Sequence, residues 1–109
     1  MLRLFVAIFS VFLVLPGCTI HYYYEVTNDE VHIYLNEPDA KEVFFLSSID
    51  QFERHEALKT GKGVWKATIP SDQEFSYFFI VDGTVFIPPC DQREKDDFGS
   101  ENCVYVPNQ

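Results

Sequence analysis

The chain has 109 residues, 47% of hydrophobic type and 17% aromatic, with 8 basic against 17 acidic side chains and a formal net charge of −9, which describes one small domain able to bury a core. Gly 5 and Pro 6 are ordinary counts and no long polar tract occurs, excluding a disordered tail, a fibre or a low-complexity linker. So acidic a balance, with no Lys/Arg cluster, excludes nucleic acid and a bare anionic lipid surface as partners, since both present rows of phosphates.

Met1 to Arg3 carry one positive charge, and Leu4 to Leu15 (LFVAIFSVFLVL) run apolar for 12 residues. That is short of the ~20 a spanning helix needs and has the form of a secretory h-region. Leu15-Pro16-Gly17-Cys18 follows, with a small residue directly before a cysteine. This resembles the lipobox of bacterial lipoproteins, which implies cleavage before Cys18 and a lipid on that residue. The alternative is an ordinary signal peptide cut at or near the same place. Residues 1–17 are thus expected to be a signal peptide, 18–30 the lipidated cysteine and a tether, 31–106 the folded domain and 107–109 a tail. Cleavage removes Arg3, leaving 7 basic and 17 acidic residues, a net charge of −10. With Cys18 acylated, Cys90 and Cys103 remain as an even pair in an oxidising compartment, and a disulfide is expected, two free thiols being the alternative. Closing so short a loop contributes roughly 3 kcal/mol.

Along the mature chain, Val31 to Leu35 alternates strictly and ends at the turn Asn36-Glu37-Pro38-Asp39. Glu42 to Ser47 (EVFFLS) is a second strand, rich in aromatic and β-branched residues. Ser48 to Gly63 is polar and reads as a loop, in which Asp50 and Glu53 could cap one helical turn. Val64 to Ile69 alternates again, with Trp65, Ala67 and Ile69 on one face. Phe75 to Val81 (FSYFFIV) is the longest strand, and Asp82-Gly83 is a hairpin signal from which Thr84 to Ile87 returns. After Pro88-Pro89 come the acidic stretch Asp91 to Asp97 and a last strand, Asn102 to Val106. Short strands spaced by turns, with no sustained 3.6 period, predict an all-β, immunoglobulin-like antiparallel β-sandwich.

Taken in order, Pro38-x-Ala40-Lys41-x-Val43, Ser48-Ile49-Asp50-Gln51-Phe52, Gly63-Val64-Trp65, Ile69-Pro70, Phe75-x-Tyr77-x-Phe79-x-Val81-Asp82-Gly83, Pro89, Phe98-Gly99 and Asn102-x-Val104 resemble carbohydrate-binding module family 48. That family includes the glycogen-binding module of the AMP-activated protein kinase β subunit and the N-terminal domains of starch-branching and debranching enzymes. The resemblance covers about residues 31 to 106 and implies an early-set immunoglobulin-like fold. In the family, two tryptophans, a lysine and an asparagine on one surface bind α-glucan. Here the tryptophan positions hold Phe52 and Val85, and the lysine position holds Phe78. Only Asn102, with Phe98 nearby, matches, so the sugar candidates are Phe52, Phe78, Phe98 and Asn102. Trp65 falls on the family's framework and on an inward face, as a core residue.

Periodicity adds a separate observation. Phe75, Tyr77, Phe79 and Val81 are expected inside, yet Phe78 and Ile80 on the other face are also apolar; Phe44 and Leu46 repeat this beside Val43 and Phe45, and His32 and Tyr34 share the outer side of the first strand. So much outer apolar surface implies a cover. Ile20 to Tyr24 folding back, adjacent strands, a second copy of the chain, or a protein partner on the face with Phe44, Leu46, Phe78 and Ile80 would each supply one.

No catalytic constellation is legible. His21, His32 and His55 have no carboxylate or cysteine at metal-ligand spacing, the acidic stretch lacks a calcium-loop order, and no nucleophile motif occurs. The sequence reads as a non-enzyme that needs no cofactor and no metal. It is expected to be a lipid-anchored envelope protein, facing the periplasm or the cell surface, that binds α-glucan weakly or serves as an interaction scaffold with sugar binding lost. Feeding cells a fatty-acid analogue is expected to label the wild type and not Cys18→Ala; equal labelling of the two overturns the anchor.

Overall fold

Period-two alternation sorts each strand onto two faces, and the apolar faces decide which strands meet. The computed structural model describes residues 22–97 and 99–107. Among them, ten strands form two antiparallel sheets. In the first, β1 (Tyr22–Val26), β2 (Glu30–Asn36), β6 (Val64–Pro70) and β5 (Leu58–Thr60) lie in the order β1-β2-β6-β5. The second runs β4 (His55–Glu56), β3 (Val43–Ser47), β7 (Phe75–Val81), β10 (Glu101–Tyr105) and β9 (Arg93–Lys95), with β8 (Thr84–Phe86) also paired to β7. The sheets pack as the expected immunoglobulin-like sandwich.

The core is built from the inward faces. Val31, Ile33 and Leu35 of β2 and Trp65, Ala67 and Ile69 of β6 are buried against Phe45, Phe75, Tyr77 and Phe79 of the other sheet. Aromatic rings make up its centre, with Phe45 edge-on to Phe79 at 5.4 Å and Phe75 tilted against Tyr105 at 5.2 Å, the separations at which ring quadrupoles favour contact. Trp65 is a core residue, as its strand face predicts, and its Nε1–H donates to the Glu37 carbonyl at 3.1 Å, satisfying the one polar group its burial would orphan.

Two turns show why particular residues stand where they do. Asp82 and Gly83 both have positive φ, 47° and 84°, as a two-residue hairpin between right-twisted strands requires. The Asp82 carboxylate also accepts the amide N–H groups of Lys41 and Glu42, each at 2.8 Å, fixing the entry to β3. Gly63 sits at φ 86° with Pro38 so close that an added Cβ would lie 2.4 Å from the proline Cα, so only glycine fits.

Four short strands depart from the sequence reading. β4 and β5 lie in the segment expected to be loop, and β9 in the acidic stretch. Each spans two or three residues with little burial, too few to print an alternation. β1 lies in the stretch assigned to a tether, so Tyr22–Val26 belongs to the sandwich; the whole strand pairs with β2. The segment does hold one 3-10 turn, Ser48–Asp50, but it ends at Asp50 instead of being capped by it, and no side chain caps its start.

Cys90 and Cys103 are joined by a disulfide across a separation of 13 residues. It ties the segment before β9 to buried Cys103 on β10. Reducing it is expected to lower the free energy of unfolding by about 3 kcal/mol, seen as a lower urea midpoint at similar slope; coincident curves for oxidised and reduced protein overturn this.

Candidate functional site

Pairing Phe45 with Phe79 inside the sandwich places Phe44 opposite Ile80 and Leu46 opposite Phe78 on the outside. This is the doubly apolar face seen in the sequence. Leu46 and Ile80 are nevertheless only 5% and 8% exposed. The connection between β3 and β4 covers part of this face: the Phe52 ring stacks on Phe78 with centroids 5.8 Å apart and planes at 24°, and the Arg54 guanidinium lies over Phe44 at 5.6 Å, while β8 sets Val85 beside Ile80. Tyr22–Val26 does not lie on this face, because it forms β1 of the other sheet. There Tyr23 stacks on Tyr34 at 4.6 Å, covering the outer side of the first predicted strand.

Local chemistry sets the path of that connection. After the 3-10 turn, Gln51 and Phe52 take φ of 64° and 61°, a left-handed conformation that is costly for a bulky side chain. Tertiary bonds hold it. The Phe52 N–H donates to the Ser47 carbonyl at 2.8 Å, and the Ser76 N–H of β7 donates to Ser48 Oγ at 3.0 Å. Asp50 accepts hydrogen bonds from the His55 ring and from the Glu53 N–H, and the bond to His55 is the main cause holding its carboxyl below the usual range.

This loop corrects one expectation. His55, read as lacking partners, lies with Asp50 and Glu53 so that their ligand-type atoms are all within 4.8 Å. A left-handed bend brings residues 50, 53 and 55 together at a spacing that neither helix nor strand would produce.

Of the sugar candidates, Phe52 is 36% exposed at the loop tip, Phe78 is half-buried beneath it, and Asn102 is buried at 6%. Phe78 and Asn102 line one groove of 520 Å³ together with Val85, Arg93, Ser100 and Glu101. Val85, at the second tryptophan position, stands 59% exposed. Arg93 and Glu101 form an ion pair at 3.7 Å along the groove. Phe98 and Cys18 lie outside the described residues. Arg54 carried no signal in the sequence, because its role depends on how the loop folds over Phe44.

By fold the chain is an all-β immunoglobulin-like sandwich with one outer sheet face partly covered by its own aromatic loop. No protein-family model matches the chain, and no curated protein matches it; the likeness to family 48 therefore stands on the residues quoted for it.

Asp50's carboxyl is held low, so its grip on the loop is complete above the usual value of 3.8 and is lost as pH falls through the lower folded value. In that acid window the proton resonances of the Phe52 ring are expected to lose the shift caused by Phe78, and Asp50→Asn is expected to remove the pH response. A Phe52 signal indifferent to acid in the folded wild type overturns the pinning.

Proposed function

We propose that the chain is a non-catalytic, exported β-sandwich, held to a bacterial membrane by lipid on Cys18, whose outer sheet face binds α-glucan weakly. What supports the sugar reading is the Phe52–Phe78 stack beside the groove that holds Asn102. Phe78 occupies one face of Phe52, so the other is free to pack against the apolar face of a pyranose. Side chains of Arg93, Ser100 and Glu101 along the groove offer donors and acceptors to sugar hydroxyls. A strained phenylalanine at a loop tip is the kind of backbone cost that marks a functional position.

The same geometry sets a ceiling on affinity. One phenylalanine platform replaces two tryptophans, and a buried Asn102 presents little of its amide. At on the order of 1 kcal/mol for each weakened aromatic contact, binding is at least about tenfold poorer than with both tryptophans. A protein-partner reading of the face is favoured by the exposure of Val85; burial of Leu46 and Ile80 would leave such a partner Phe52, Val85 and the rims of Phe44 and Phe78.

Titrating the full chain, kept in a polyoxyethylene detergent, with maltoheptaose is expected to give weak saturable binding. Phe52→Ala should reduce it about tenfold and Phe52→Trp should strengthen it. If wild type and Phe52→Trp are both silent up to the solubility of the sugar, the glucan reading fails; if Val85→Asp then abolishes capture of a protein partner, the scaffold reading replaces it.

A further inference from the structure

A second cavity opens where edge strand β1 of one sheet passes β10 of the other. Register puts Tyr22 and Tyr24 on the inward face of β1, opposite Leu35 and Ile33. Tyr24 is nevertheless 55% exposed. The uncovered seam is a pocket of 370 Å³ whose walls include Tyr22, Tyr24, Tyr77, Tyr105, Cys90 and Asp91. Tyr24 and Tyr105 meet at 86° with centroids 6.4 Å apart, so two ring systems form a corner.

The electrostatics of this pocket are one-sided. No lysine or arginine lines it among the described residues, and Asp91 is the one charged side chain among those that do. Asp91 takes part in none of the ion pairs among the described residues. It lies near enough to Tyr22 to raise that hydroxyl's pKa, although burial is the larger cause. The Tyr22 and Tyr77 hydroxyls are hydrogen-bonded to each other, and burial keeps Tyr77 protonated as well. What remains is a set of electron-rich ring faces and one carboxylate, on a chain of net charge −9 that attracts cations from a distance. One carboxylate is too few ligands for a hard metal ion, which asks for six or so oxygens.

We propose that this seam binds an organic ammonium ion, with the Tyr22, Tyr24 and Tyr105 rings against the alkylated cation and Asp91 as its counter-ion. The site is independent of the sugar face, which lies on the outside of the second sheet. Two sources carry the same chemistry: a small free ammonium compound and the headgroup of a zwitterionic lipid. If Cys18 is the anchor, only Thr19, Ile20 and His21 separate it from Tyr22, which would keep the seam close to lipid headgroups.

The chain has six tyrosines, and tyrosine-labelled NMR of the oxidised full chain in polyoxyethylene detergent therefore reads the pocket directly. Choline chloride is expected to shift Tyr22, Tyr24 and Tyr105 and to leave Tyr34, on the outer face, unmoved. The uncharged isostere 3,3-dimethylbutan-1-ol should shift none of these tyrosines. Tyr24→Ala is expected to weaken choline binding about tenfold, and Asp91→Asn severalfold with a weaker salt dependence; both sites are exposed, and an unchanged melting temperature confirms the fold. Substituting phosphatidylcholine vesicles for choline assigns the source, since the same shifts with vesicles point to a headgroup and shifts with choline alone to a free compound. The proposal is overturned if choline and its neutral isostere act alike, if neither choline nor vesicles shift the pocket tyrosines, or if the shifts follow protein concentration instead, which would show a second copy filling the seam.

Discussion

The pairing of Phe45 with Phe79 across β3 and β7 is the contact on which the other features depend. Both strands are apolar on both faces, so hydrophobicity alone would tolerate either face inward. Ring packing chooses: Phe45 contacts Phe75, Tyr77 and Phe79 at centroid distances between 5.4 and 6.5 Å, and a one-residue slip would exchange this set for Phe44, Leu46, Phe78 and Ile80. Once the inner set is chosen, an apolar outer face follows, and with it the need to cover that face.

The cover explains an otherwise costly loop. Placing Gln51 and Phe52 in the left-handed region costs of order 1–3 kcal/mol each, and burying Phe78 beneath Phe52 returns part of that through ring contact and lost apolar exposure. Because the covering ring is itself a third exposed, the loop only displaces the problem outward, from Phe78 to Phe52. A smaller or polar tip would leave the Phe78 ring open, so the partly exposed Phe52 ring is the cost of covering it.

How far the sequence disclosed this varies with the length of the pattern. The strands of five to seven residues with a buried face are legible in the sequence, β2 and β6 from strict alternation and β3, β7 and β10 from apolar, aromatic and β-branched runs bounded by turns, and the Asp82-Gly83 hairpin is legible from its turn residues. β4, β5 and β9 are not, since two or three exposed residues carry no period and exist because a neighbouring edge offers them backbone partners. β1 escaped for another reason. Tyr22-Tyr23-Tyr24 presents the same side chain to both faces, so nothing in it distinguishes inside from outside, and only its register against β2 does so. The grouping of Asp50, Glu53 and His55 was equally hidden, because it depends on two left-handed residues that are not glycines. Phe52, Phe78 and Asn102 were nominated by likeness to a family; the fold places Phe52 on Phe78 and puts Phe78 and Asn102 in one groove, but their chemistry toward sugar is a separate matter.

The two candidate surfaces also differ in what they demand of charge. A glucan is neutral, so the outer face can serve it with a ring and a few hydrogen bonds while the acidity of the chain stays irrelevant to affinity. At the seam the acidity matters, because an ammonium ion must leave water and needs a counter-charge in return. Asp91 stands directly after Cys90, whose disulfide to Cys103 fixes that segment against β10. The covalent link that closes the fold therefore also sets the position of the pocket's one carboxylate. Backbone bonding continues that constraint on the other side of Asp91, where the Val104 N–H donates to the Gln92 carbonyl at 2.9 Å, whereas the β3 to β4 loop over Phe78 shares no covalent link with this segment.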